Sequence, residues 1–121
     1  MIPENHRNRA ERIERSLARL TDSDWEIRIE AAMLAGTHWA NYVLHKIGAS
    51  ELSEDMVHAS TCTVSVLRKY RLAEPDLIGQ LEEIEELRPL FVRGDMDGGA
   101  NAANRALELL NLIGERARRL A

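Results

Sequence analysis

Apolar positions recur at helical spacing along most of this chain, and nowhere do they alternate at the period of two that marks a strand. The stretch from Asp24 to Gly48, DWEIRIEAAMLAGTHWANYVLHKIG, stands apart. Its apolar residues fall all round the helical wheel, which predicts a central helix surrounded by others. Ser23 as N-cap with Glu26 three residues on matches a capping box, and Gly48 after Lys46 is a natural stop. Such a helix is on the order of 35 Å long at 1.5 Å per residue.

The other segments carry narrower stripes. Residues 3–20 place Ile13, Leu17 and Leu20 on one face, with Pro3 suited to a first turn. Arg7, Arg9, Arg12, Arg15 and Arg19 crowd the rest, interleaved with Glu4, Glu11 and Glu14. Glu11 and Arg15 have the favourable i, i+4 order, so this face reads as solvated and charge-paired rather than as a phosphate-binding ridge. A short turn at 49–53 predicts an antiparallel return helix over 53–71, with Val57, Ser60, Val64 and Leu67 inward. Pro75 opens the next helix, 75–92, with Ile78, Leu81, Ile84, Leu87 and Phe91 inward and Glu82, Glu83, Glu85 and Glu86 outward. Arg93–Gly99 reads as a loop. The last helix, 99–120, has Ala103, Leu107, Leu110, Ile113, Ala117 and Leu120 as its core stripe. The expected architecture is all-α: an antiparallel four-helix bundle over 23–121, with an additional N-terminal helix over 1–22, in one domain.

Composition narrows the function classes. Fourteen Arg stand against two Lys, so any cationic patch is a guanidinium patch suited to carboxylate or phosphate forks. A net charge of −4 gives no general pull toward nucleic acid or acidic membranes. The single Cys62 excludes an internal disulfide framework. The charged start lacks a secretory h-region, no run suffices for a membrane span, and the expected location is cytoplasmic. The over-apolar central helix also suits a two-fold homodimer interface.

Candidate chemistry is sparse. His38 and His45 share a face of the central helix, and His58 and Cys62 lie one turn apart on the expected return helix. Level with one another they would form an N/S set of the kind zinc prefers. The inward face set by Val57 and Val64 points elsewhere, so core or edge packing is the expected role, with no resident metal or cofactor. No third orienting group or oxyanion donor accompanies His58 and Cys62 as base and nucleophile. Asp95-Met96-Asp97-Gly98 is similar to the opening of a calcium loop but lacks the glutamate at position twelve, where Ala106 stands. Gly98-Gly99 at a helix start is a weak anion seat.

The run from Glu30 to Ala117 resembles the HEPN (higher eukaryote and prokaryote nucleotide-binding) helical superfamily. EAAMLAGTHWANYVLHKIG is similar to its central helix, SEDMVHASTCTVSVLRKYRL to the helix that follows, and LEEIEELRPLFVRGDMDGGANAANRALELLNLI to its closing hairpin. Active members carry Arg, four residues, then His as the ribonuclease pair. Here Arg88 is followed five places on by Arg93, and a guanidinium stays protonated and cannot serve as a general base. The resemblance therefore implies a divergent, non-catalytic interaction module. Its implied partners are a second copy and a protein such as a nucleotidyltransferase, or a nucleotide or RNA, with Arg88 and Arg93 as ligand contacts. The alternatives are an atypical ribonuclease using His38, His45 and Arg88, and a metal-binding bundle using His38, His45, His58 and Cys62.

Overall fold

The computed structural model describes residues 1–120, and these hold five α-helices and no strand. They are α1 (Pro3–Leu17), α2 (Trp25–Lys46), α3 (Val64–Ala73), α4 (Pro75–Leu87) and α5 (Gly99–Arg118). α2 is the hub. It packs against α1 and α5, and against α4 and the turn after α4, while α3 packs chiefly on α4. Ile29, Ala32, Trp39, Val43 and Leu44 are buried on one broad face, but Ile27 and Leu34 stay exposed on another, so the helix is not enclosed on every side as its all-round apolarity predicted. Trp39 and Tyr42 fill the core edge to face, with ring centroids 5.8 Å apart.

Helix ends follow local chemistry with two departures. Gly48 adopts φ 76°, the left-handed conformation that ends a helix, and the N–H groups of Ala49 and Ser50 both reach the Leu44 carbonyl. The expected capping box is absent. Asp24, not Ser23, precedes the first helical residue, and its carboxylate turns back to accept from the Thr21 N–H and hydroxyl. The 75–92 helix keeps α geometry only to Leu87. Pro89 offers no N–H to the ladder, and residues Arg88–Val92 widen into a π turn closed by the Arg93 N–H on the Arg88 carbonyl.

The largest departure is the return helix. Residues 53–62 are not α-helical; after a short 3₁₀ turn at Ala59–Thr61, α3 begins at Val64 with Thr63 accepting from the Val66 N–H. Val57 and Val64, expected inward, are well exposed, and Met56 and Ala59 are buried instead. Side chains from other elements hold this segment open. Asn41 of α2 accepts the Met56 N–H and donates to the Met56 carbonyl, both at 2.8 Å. The Glu85 carboxylate accepts from the Ala59 and Ser60 N–H groups. With its backbone groups satisfied in this way, the segment has no need of a helical ladder.

The acidic side of α4 is largely neutralised within the fold. Glu82 pairs with Arg71 and Glu83 with Arg105, while Glu85 is committed to the loop. On α1, Glu11 bonds Arg7 rather than Arg15, and Glu14 takes the Trp39 indole N–H and Arg118.

Candidate functional site: a histidine–aspartate network beside α2

Four polar side chains from three segments converge where α1, α2 and the 50–55 loop meet. His6 comes from α1, His38 and His45 from α2, and Asp55 from the loop that Asn41 anchors one residue away. Asp55 Oδ1 lies 2.9 Å from His6 Nε2 and 2.9 Å from His45 Nε2. His6 Nδ1 lies 2.9 Å from His38 Nδ1, and His45 Nδ1 lies 2.7 Å from Ser50 Oγ. The Met1 amino group also bonds the Asp55 carboxylate, at 3.2 and 3.3 Å.

Burial and charge fix the protonation pattern. His6 and His45 are buried, at 1% and 7% exposure, while Asp55 opens to solvent. Burial pushes the Asp55 carboxyl up, but hydrogen bonds from His45, His6 and the Met1 amino group outweigh it and hold it at about 2. An ionised carboxylate only accepts, so both Nε2 atoms carry hydrogen and donate to Oδ1. His6 Nδ1 then accepts from His38 Nδ1–H, and Ser50 Oγ stands opposite His45 Nδ1. Burial lowers the His6 pKa against the raising influence of Asp55. Burial, with His6 and Arg9 nearby, lowers His38 to about 4. At neutral pH His6 and His38 are neutral imidazoles beside the Asp55 carboxylate.

The ligand set expected from the sequence is split. His38 and His45 belong to the network, as their shared face suggested. His58 and Cys62 do not, because the segment that carries them is not the antiparallel helix that would have set them level with α2. His58 lines a cavity of about 470 Å³ with Ser60, Glu82, Glu85, Glu86, Arg88, Pro89 and Arg93. Cys62 is half-buried over α3, where burial and then Glu85 and Glu82 push its thiol up, away from the reactive thiolate. His6 and Asp55 are the members that sequence reasoning missed. Asp55 looked like an acidic first-turn residue. The run Ser60-Thr61-Cys62-Thr63, rich in N-cap residue types, was the signal that the helix starts later.

Arg88 and Arg93 do come together, on the wall of the cavity that also holds His58. Arg88 is engaged: its Nε donates to Glu30 of α2 at 2.7 Å, not to Glu82 or Glu85. Arg93 is exposed and makes no ion pair among the described residues. Arg88 is no part of the histidine network, so His38, His45 and Arg88 do not assemble as one catalytic set. Asp95 and Asp97 are exposed in the loop before α5, and Gly99 packs against the Trp25 indole.

One further surface belongs to α2. Ile27 and Leu34 are 60% and 47% exposed on one side of this helix, with the half-buried Ala31 between them in sequence; His38, further along the same side, is half-buried where His6 of α1 covers it. The four fall within about 60° of the helical wheel.

These features define an all-helical protein with three histidines gathered around one aspartate and an open apolar stripe on its central helix. No family model matches the chain, and neither the curated proteins nor the solved structures compared with it give a significant match. No helix is long and apolar enough to cross a membrane among the described residues.

Proposed function

We propose that this chain is a non-catalytic interaction module, HEPN-like in its helical bundle, that works as a two-fold pair through α2. The observation that carries the reading is the apolar stripe on an otherwise enclosed helix. Ile27 and Leu34 are large, exposed and seven residues apart, with the small Ala31 between them where two helices can approach closely.

The charges flanking the stripe favour a second copy as its occupant. Asp22, Asp24 and Glu26 lie at its N-terminal end, while Arg9 lies close to His38 at the other. An antiparallel two-fold crossing near Ala31 sets Ile27 opposite the partner's Leu34, and the acidic end opposite the partner's Arg9. Light scattering at tens of micromolar chain is expected to give twice the 13.7 kDa chain mass. Ile27→Glu with Leu34→Glu is expected to weaken pairing at least tenfold, since both positions already tolerate solvent. A wild-type protein that stays at one chain mass at that concentration removes the reading.

Arg88 and Arg93, sharing one cavity wall, are the ligand contacts of this reading. Arg93 is the free guanidinium and Arg88 the one steadied by Glu30. Removing Arg93 alone is expected to weaken nucleotide or RNA binding about tenfold while leaving thermal stability unchanged. Equal binding by wild type and Arg93→Ala takes that residue out of the site.

A further inference from the structure

The histidine network has the donor geometry of a metal centre, and we infer that His6 Nε2, His45 Nε2 and Asp55 Oδ1 bind one divalent first-row transition ion of the zinc type. The inference is independent of pairing through α2. It uses a different set of residues from the one the sequence suggested, with His6 and Asp55 in place of His58 and Cys62.

The first ground is distance. The three donor atoms lie within 4.8 Å of one another, and Oδ1 is 2.9 Å from each imidazole nitrogen. Zinc holds nitrogen and oxygen at about 2.0–2.2 Å, which in a tetrahedron spaces the donors roughly 3.3 Å apart. Widening each contact by a few tenths of an ångström admits the ion between them. The ion takes the place of the two Nε2 protons, and each ring carries its proton on Nδ1 instead, so both imidazoles stay neutral.

The second ground is what stands behind the ligands. A metal-bound imidazole must carry its proton on the remote nitrogen, and a partner must accept it. Both remote nitrogens already face such a partner. His45 Nδ1 lies 2.7 Å from Ser50 Oγ, whose hydroxyl can turn to accept. His6 Nδ1 lies 2.9 Å from His38 Nδ1, which becomes the acceptor once its own proton moves to Nε2. Ser50 and His38 satisfy the remote nitrogen of each ring and hold its orientation, so they act as positioning residues.

The third ground is the mounting. His6 and His45 are buried on two helices that pack against each other, and Asp55 is fixed by the two hydrogen bonds between the Met56 backbone and the Asn41 side chain. Two nitrogens and one oxygen suit zinc, cobalt, nickel or copper rather than magnesium or calcium. Three protein ligands with an exposed carboxylate also leave a coordination position open to an exogenous ligand.

The test uses the untagged chain. Zinc competition against a chromophoric chelator at pH 7.5 is expected to give one equivalent per chain. Cobalt is expected to give the intense visible bands of a four- or five-coordinate ion. Ser50→Ala is expected to weaken zinc about tenfold with the fold intact by circular dichroism, and His45→Gln to abolish one-to-one binding. His58→Gln with Cys62→Ser is expected to change nothing. The inference is overturned if wild type takes up no stoichiometric zinc, or if the His58/Cys62 variant loses it while Ser50→Ala keeps it unchanged. Because His45→Gln could disturb the core, the wild-type cobalt spectrum and Ser50→Ala decide the matter without it.

Discussion

Replacing Asn41 by leucine is expected to lower the unfolding free energy by about 3 kcal/mol, because it strands two buried backbone groups at once. The Asn41 side chain is 2% exposed and is bonded to both the N–H and the carbonyl of Met56. Leucine keeps the branched outline of asparagine but is the larger side chain, so no cavity forms and the loss combines the hydrogen bonds with overpacking at this buried position. Each unpaired buried group costs roughly 1–3 kcal/mol. Met56 either stays buried and pays for both, or it swings out and pulls Asp55 from the histidines. Urea unfolding at pH 7 measures the total. A loss below about 1 kcal/mol would mean that the loop is held by something other than this amide. The same substitution is expected to weaken zinc, although Asn41 supplies none of the proposed ligand atoms.

Acid is expected to be the second large lever. His38 has its pKa lowered from 6.5 to about 4, with burial as the first cause, and His6 is lowered as well. A base whose folded pKa is depressed stays neutral in the fold while the unfolded chain takes up a proton. Its contribution is therefore complete above pH 6.5 and drains away as the pH falls toward 4. At 1.36 kcal/mol per pKa unit, His38 accounts for at most about 3 kcal/mol over that window, and less where water reaches the ring. Asp55, held at about 2 against an ordinary 3.8, adds a second loss below pH 3.8. Urea midpoints of metal-free protein, measured from pH 7 to pH 4, are expected to fall steadily. His38→Asn keeps a donor toward His6 but cannot titrate, and it is expected to flatten that fall while leaving the midpoint at pH 7 nearly unchanged. An equally steep fall in His38→Asn would place the acid sensitivity elsewhere.

The helices were legible wherever apolar spacing and a terminator agreed. α2 shows its all-round apolarity and its Gly48 stop, and α5 shows a clean stripe in which Ala103, Leu110, Ile113 and Ala117 are all buried. The 53–63 segment misled because Val57, Ser60, Val64 and Leu67 have helical spacing by accident. What decides its backbone is Asn41, 15 residues before Met56, and Glu85, 26 residues after Ala59. No local pattern records partners at that distance.

The same reason hid half of the candidate site. His38 and His45 could be placed on one face from their spacing of seven. His6 reaches Asp55 across 49 residues and His38 across 32, through the docking of α1 on α2. That docking buries Leu17, which belonged to the narrow stripe read from the sequence, and Ala10, which did not. A polar residue lying beside such a stripe, as His6 does, is as informative as the stripe itself, because burial forces it to find a partner.

Native mass spectrometry of the untagged wild-type chain, exchanged into volatile buffer after exposure to a small excess of zinc, tests the central claim most directly. Ions gathered by His6, His45 and Asp55 would appear as one zinc per chain, held through exchange and lost in Asp55→Asn. A spectrum of zinc-free protein, or one in which Asp55→Asn retains the same single zinc, would contradict the assignment of these three residues as a metal centre.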